Sequence, residues 1–273
     1  MSDAAPRPLC LITGASAGLG AALARVFAAH GWDLALTARR AERLQALAEE
    51  LEAAHGCDAL VIPADLSQPG ACDAILAEIA TRGRVVSGLV NNAGYGLSGA
   101  FTKVSWAEQA AMLQVMLTVV VEMSHKVLPG MTERGFGRIL NVASLAGMMP
   151  ASPGESLYTP IKAFLVRFSQ TLHVETLDTG VQVSALCPGF TFTEFHDVNG
   201  SRAKITRLTP KWLWLDAETV ARAGYAALEA NRPVCVTGAP NRAIALVARL
   251  MPEGLALSLA ARASRTMSRR RQA

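Results

Sequence analysis

Charge is scarce in this chain and unevenly placed. Only 18% of the 273 residues are charged, and five arginines but no acid follow Glu253. The first 253 residues therefore hold 21 basic and 22 acidic side chains, so the formal charge of +4 is a property of the tail. A nucleic-acid surface needs clustered positive charge on the folded body, and that class is excluded. Cysteine is sparse too. Cys10, Cys57, Cys72, Cys187 and Cys235 form no Cys-x-x-Cys pair and no Cys/His spacing of a zinc site. Three lie in apolar, strand-like stretches, where a free thiol behaves as a small hydrophobe; disulfides and metal are not expected. No uninterrupted run of about 18 apolar residues occurs, and Met1–Pro8 is not an apolar signal segment. These absences predict a soluble cytoplasmic protein without an integral membrane segment.

What is present is apolar: 51% of the chain is hydrophobic, ample for one large α/β domain. Residues 8–13 read as a buried strand that breaks into Gly14-Ala-Ser16-Ala17-Gly18-Leu19-Gly20, and a helix follows over Ala21–His30. Strand, glycine-rich turn and helix together set backbone N–H groups and a helix N-terminus against a pyrophosphate. Asp33–Thr37 reads as a second strand. It ends at Ala38-Arg39-Arg40, where a site for the unphosphorylated ribose would carry an acid. Arginine suits a 2′-phosphate, so NADP(H) is favoured over NAD(H), although both arginines also lead into a polar helix over Ala41–His55. Ala59–Pro63 is a third strand, followed by Asp65, Leu66 and Ser67. Asp65 has two readings, a loop acid holding nearby N–H groups or a partner for an adenine amino group. Ser67 is the expected N-cap of a helix through Thr81. Gly88–Val90 runs into Asn91-Asn92-Ala93-Gly94, and Arg138–Val142 into Ser144. This alternation predicts a Rossmann-like, doubly wound parallel sheet of about seven strands with helices on both faces. Ligands in such sheets sit at the carboxyl ends of the strands, where all these turns would gather.

Tyr158 and Lys162 are four residues apart, hence one turn apart on a single helix face. A phenol holds its proton to a pKa of about 10, and a neighbouring ammonium favours the phenolate. With Ser144 offering a hydroxyl, the three could move a proton on and off a carbonyl or alcohol oxygen. The pair alone is common on amphipathic helices; the surrounding turns give it meaning.

The chain resembles the short-chain dehydrogenase/reductase family, in its single-domain form, over about residues 8–238. The resemblance rests on Thr13–Gly20, Asn91–Gly94, Ser144, Tyr158-x-x-x-Lys162 and Pro188-Gly189. It implies Tyr158 as general acid/base, Lys162 as ribose ligand and pKa-lowering charge, and Ser144 as the group orienting the substrate oxygen. It also implies that Val183–Gly189 is the sixth strand, with its Pro188-Gly189 turn at the nicotinamide and Thr191 and Thr193 on the cofactor. Three departures stand out. Met116 occupies the place of a helix asparagine that feeds protons to the lysine, and a thioether accepts only weakly. The interval from Ser144 to Tyr158 is one residue longer than usual, with Pro150, Pro153 and Gly154 inside it. Pro160 falls between Tyr158 and Lys162, which requires the helix to start close to Tyr158.

Residues 190–214 match a substrate lid rich in aromatics. Tyr95, Met148, Phe190 and Phe195 are candidate pocket residues for a hydrophobic carbonyl or alcohol, though each aromatic could equally be packing. A helix over Asp216–Ala230 and a last strand over Pro233–Thr237 close the domain. The extension 239–273 has apolar residues at helical spacing, interrupted by Pro252 and Gly254, then a basic end. It packs on a partner subunit or the pocket, the preferred reading, or touches an anionic membrane surface peripherally. The long helices around 105–134 and 157–179 are candidate faces of a homodimer or homotetramer. The leading function is an NADP(H)-dependent reductase or dehydrogenase; the alternative is a dinucleotide-binding sensor or scaffold that has lost catalysis.

Overall fold

The computed structural model describes residues 7–97, 99–151, 154, 156–193 and 210–272, the side chains of 263–272 excepted. The first strand shows why the sheet is central. In β1 (Leu9–Thr13) all five residues are buried, as an apolar run with no polar alternation requires. Its side chains point alternately to two cores: Cys10 and Ile12 to one, Leu9 and Leu11 to the other. The remaining sheet strands are β2 (Asp33–Ala38), β3 (Ala59–Pro63), β4 (Val86–Asn91), β5 (Gly137–Val142), β6 (Val181–Cys187) and β9 (Val234–Val236). All pair in parallel, in the order β3-β2-β1-β4-β5-β6-β9. The chain winds outward in both directions from β1 and β4, which leaves a crevice beyond their carboxyl ends. The seven-stranded, doubly wound sheet is as the sequence predicts.

Helices α1 (Gly18–Ala29) and α2 (Ala41–His55) cover one face together with α7 (Ala217–Glu229). The small residues of α1 let it lie close to α7, where Phe27 meets Tyr225 edge-on at 4.9 Å. The other face carries α3 (Ala71–Thr81), α4 (Trp106–Leu113), α5 (Val119–Glu133) and α6 (Tyr158–Glu175). Between α4 and α5 a π-helical turn, Gln114–Thr118, keeps the helix continuous. Trp106–Glu133 as a whole is long and apolar enough to cross a membrane, yet Met112, Met116, Met123 and Met131 along it are buried in the core. Beyond the sheet, α8 (Ala239–Leu250) and α9 (Glu253–Gln272) form the extension, broken at Met251-Pro252 as proline there demands. Two short segments, β7 (Thr191–Phe192) and β8 (Leu215–Asp216), pair with each other and bracket residues 194–209.

Several local expectations shift. Ser67 does not cap α3: the helix starts at Ala71 behind Gly70, whose φ of 77° suits glycine, and Ser67 turns back to Asp65 instead. Helix α1 begins three residues early, inside the glycine-rich turn, and β6 lies two residues earlier than read. Phe195, Asn199, Gly200 and most of the expected lid, like Pro153, fall outside the described residues.

Below the carboxyl edge, a buried polar chain ties four elements. Asn91 and Asn141 are in register on β4 and β5, and Asn91 Nδ2 donates to Asn141 Oδ1 at 2.8 Å. Asn141 Nδ2 donates to Ser169 Oγ of α6 at 2.9 Å, and Ser124 of α5 lies 3.4 Å from Asn91 Nδ2. Buried donors and acceptors left alone are expensive, so the chain fixes strand against helix. Replacing Asn141 by alanine is expected to cost about 1–3 kcal/mol in urea unfolding. A loss under about 0.5 kcal/mol, within the scatter of inert substitutions, would show that the chain holds nothing together.

Candidate active site

The turn after β1 is shaped by side chains it lacks. Gly14 has φ 68° and its N–H donates to Thr37 O at 2.8 Å; a Cβ there would stand 2.9 Å from Ala93 Cα. A Cβ on Gly20 would fall on the Gly14 carbonyl, and one on Gly18 would crowd Thr193. Thr13 and Asn92 complete the clamp. Thr13 Oγ1 accepts from the N–H groups of Asn92 and Ala93 at 2.9 and 3.0 Å, while Asn92 Nδ2 donates to Thr13 O. Sequence reading placed Thr13 in the motif without giving it this task; a threonine ending a buried strand was the signal. Helix α1 opens with no side-chain cap and no acid in its first turn. Its first N–H groups, those of Gly18, Leu19 and Gly20 behind Ala17, thus face the crevice at the positive end of the helix dipole. That cradle fits a pyrophosphate.

The two arginines after β2 flank the cradle. Arg40 Nε and a terminal guanidinium nitrogen donate to Ser16 Oγ at 3.2 and 3.1 Å, which pins the arginine over the turn. Arg39 is exposed and contributes to holding Asp65 below its ordinary pKa. The main cause there is the pair of hydrogen bonds from Ser67, whose N–H and Oγ lie 3.0 and 2.8 Å from Asp65 Oδ1. Leu66 is buried in the core, so only its backbone is offered to the crevice.

Helix α6 starts at Tyr158, as Pro160 requires. Lys162 is buried and donates from Nζ to Val142 O at 2.6 Å, and the same Nζ is 5.7 Å from the centre of the Tyr158 ring. Burial pulls the ammonium down to about 8. Ser144 caps the short turn Leu145–Met148, its Oγ accepting from Ala146 N at 3.1 Å. That turn lies on α6 closely enough that a Cβ on Gly147 would strike the Lys162 carbonyl. Lys162 thus reaches the end of β5, with Tyr158 beside it and Ser144 two residues beyond Val142, at the carboxyl edge of the sheet on which the glycine turn also lies. Pro188 O accepts from Leu145 N at 2.8 Å, and Thr191 Oγ1 donates to Gly189 O, closing the turn after β6 against the same edge.

Met116 sits within the π-helical turn, its side chain against Gly94 and its sulfur 3.5 Å from Tyr95 N. The backbone irregularity thus falls at the residue where the family resemblance implies an asparagine. Phe190 packs on Trp214, which also stacks on Phe192 at 4.8 Å, and Met148 rests partly on the core near Leu165. A small recess beside Tyr158 is lined by Leu97, Phe101, Val104, Met112 and Leu157 together with the polar Gln109 and Ser156, of which none was singled out from sequence.

Comparison with known proteins agrees with this geometry. The family model for short chain dehydrogenases matches residues 8–203. The chain belongs to the short-chain dehydrogenase family. Sulfoacetaldehyde reductase 2 of Chromohalobacter salexigens is 38% identical over 78% of this chain and 85% of its own length. A short-chain dehydrogenase from Sphingobium yanoikuyae, solved with NADPH, superposes with TM-score 0.77 at 32% identity over 88% of this chain and 92% of that one. The bulky-bulky ketone specific alcohol dehydrogenase from Comamonas testosteroni gives 0.72 at 29% identity, covering 90% and 93%. This member of the family is therefore an oxidoreductase with a Rossmann-type fold for a nicotinamide dinucleotide.

Two outcomes follow from the geometry. Gly20→Ala must displace the turn or Asn92, so dinucleotide affinity should fall at least about tenfold in a fluorescence titration with NADPH, since even a 1.4 kcal/mol misfit is tenfold. Unchanged affinity would mean the cradle is not the binding site. Lys162 loses its proton near pH 8 when folded but near 10.5 when unfolded, so between those values the unfolded chain holds more protons. Stability therefore rises with pH across that window. In urea unfolding of the nucleotide-free protein, wild type should gain on Lys162→Met from pH 7.5 to 10; parallel curves would show an unshifted lysine.

Proposed function

We propose that the protein reduces a hydrophobic ketone or aldehyde with NADPH, or oxidises the matching secondary alcohol with NADP⁺. The observation that carries this reading is the buried Lys162 ammonium beside the Tyr158 ring, on the edge where the glycine cradle opens. Nicotinamide supplies the hydride. Gly14, Ser16, Ala17, Gly18, Leu19 and Gly20 hold the pyrophosphate. Arg39 and Arg40 face the 2′-phosphate, and Asp65 and Leu66 border the adenine. Asn92, Ala93 and Gly94 line the ribose side, while Pro188, Gly189, Thr191 and Thr193 border the nicotinamide.

Tyr158 gives its phenolic proton to the substrate oxygen as the carbon is reduced, or takes it in the reverse direction. Ser144 Oγ, already held by the Ala146 N–H, keeps that oxygen in place. Lys162 uses one N–H on Val142 O and has two more for ribose hydroxyls. Its charge favours the phenolate of Tyr158. The arginine pair supports the phosphorylated cofactor, as does the NADPH bound to the Sphingobium relative. Tyr95, Met148, Phe190 and Phe195 are the proposed apolar substrate residues, and the recess beside Tyr158 adds Leu97 and Phe101 with the polar Gln109 and Ser156, which supports a largely hydrophobic carbonyl. The reading extends to a cytoplasmic enzyme whose 190–214 segment covers substrate. It also extends to a homodimer or homotetramer, for which exposed Val174 and Leu177 at the end of α6 are available. Met116 favours a second reading, a dinucleotide-bound sensor without turnover, because the thioether replaces a hydrogen-bonding side chain.

Tyr158→Phe separates the two. With the enzyme, turnover of a ketone panel falls by about 10² to 10⁴ while NADPH affinity stays within a factor of three. Comparable turnover in the variant removes Tyr158 from the chemistry, and tight NADPH binding with no turnover even in wild type favours the sensor. Arg39→Ala with Arg40→Ala should lower the NADPH-over-NADH preference at least about tenfold, as loss of charge-assisted phosphate bonds implies. An unchanged preference would place the 2′-phosphate elsewhere.

A further inference from the structure

The extension is inverted. Along α8, Ala243, Leu246, Val247 and Leu250 fall at the spacing of a single helix face, and that face is turned outward: Leu246, Val247 and Leu250 are 57, 58 and 73% exposed. The inward face carries Asn241, Ile244, Ala245 and Ala248, with a single large apolar side chain among them; Asn241 lies against Gly189 and donates to Thr237 O at 2.8 Å. Helix α9 repeats the inversion. Ala256 is buried while Leu255 and Leu259 are about half exposed. A helix that served only to close the domain would bury its leucines and expose its alanines.

Charge says what covers them. Residues 239–273 hold seven arginines and one acid, whereas residues 1–238 hold 19 basic and 21 acidic side chains. The molecule is thus a slightly acidic body with a strongly positive, outward-apolar appendage. A two-fold contact with a second copy would bring two such appendages face to face, at a repulsive cost. An anionic lipid surface answers both features, taking the leucine face into the acyl boundary and the guanidinium groups among the phosphates. On α8, Arg242 and Arg249 lie seven residues apart, hence on one flank of the leucine stripe, where arginine stems can run along apolar surface to reach headgroups. The two helices meet at a bend of 117°, and α8, at 12 residues, is about 18 Å long against a hydrocarbon core of about 30 Å. The geometry fits lying on a bilayer and not crossing it.

We propose that α8 and α9 form a peripheral docking surface for anionic membranes, with Leu246, Val247, Leu250, Leu255 and Leu259 as the inserted face and the arginines as the headgroup contacts. The preference for subunit packing drawn from sequence gives way here, because spacing alone did not reveal which face points out.

The test is co-sedimentation of the full chain with vesicles of phosphatidylcholine alone and of phosphatidylcholine with 30% phosphatidylglycerol. Binding to the anionic vesicles should exceed binding to the neutral ones at least about tenfold and weaken as salt rises. Leu246→Ser with Leu250→Ser should lower partitioning at least about fivefold, and Arg269→Gln, Arg270→Gln and Arg271→Gln together at least about tenfold. The leucine variant should keep the wild-type thermal midpoint and NADPH affinity, since Leu246 and Leu250 are exposed, and the arginine variant is held to the same two controls. Equal partitioning onto both vesicle types, or no partitioning, overturns the proposal. So does a wild-type oligomer in sedimentation velocity that the leucine variant dissociates, which would assign the face to a second copy. Vesicle binding is read without turnover, so it stands or falls independently of the reductase chemistry.

Discussion

The whole site depends on how closely a helix can begin against the end of a neighbouring strand. Helix α1 starts beyond β1 after the turn 14–17, and the loop after β4 crosses that turn with Ala93 Cα and the Asn92 amide 2.9 Å from where a Gly14 Cβ would be. Only hydrogen fits between them. The absence of side chains at Gly14 and Gly20 brings the free N–H groups of α1 to the crevice, and Thr13 and Asn92 lock the two strand ends together so that the gap does not drift. Parallel strands buried on both faces supply the stiffness behind the clamp. Were the loop after β4 displaced by the width of a methyl group, the cradle would open.

A second requirement sits beside it. Lys162 must keep an ammonium in a place where burial opposes charge, and the fold answers with little more than the Val142 carbonyl at 2.6 Å. Such a group lowers the stability of the empty protein at neutral pH, and an approaching anionic ligand would relieve it. Beneath, the Asn91–Asn141–Ser169 chain is a neutral run of hydrogen bonds that fixes α6 two turns below Lys162. Rigidity below and an under-compensated charge above are what a site that binds an anionic cofactor can be built from.

Much of this was legible in the residues because it depends on short spans. The run Leu9–Thr13 into Gly14–Gly20, the one-turn spacing of Tyr158 and Lys162, and Pro160 setting the start of α6 are local constraints that any fold would have to obey. The parallel, doubly wound sheet followed from alternation. What escaped depends on contacts between distant segments. Ser67 looks like a helix cap until Asp65 is seen to take both its donors. Leu97 and Phe101 look like loop residues until α4 folds over them beside Tyr158. The outward direction of Leu246 and Leu250 is invisible to periodicity, which gives the angle between residues on a helix but not the angle of the helix to the protein.

Met116 joins these threads. A π-helical turn is unfavourable in isolation and persists only where its surroundings fix it. Here those surroundings are the packed apolar faces of α4 and α5, with Met112 on one side and Val119 and Met123 on the other, and Met116 is buried in the same core. The bulge and its side chain thus pack together in that core. A thioether in that place fills the volume next to Gly94 and takes up the Tyr95 N–H weakly, so the loop after β4 keeps its position without a strong hydrogen bond. At this end of the crevice one buried residue therefore serves both shape and polarity: its volume packs the core against Gly94, and its sulfur is the weak acceptor that faces Tyr95 N.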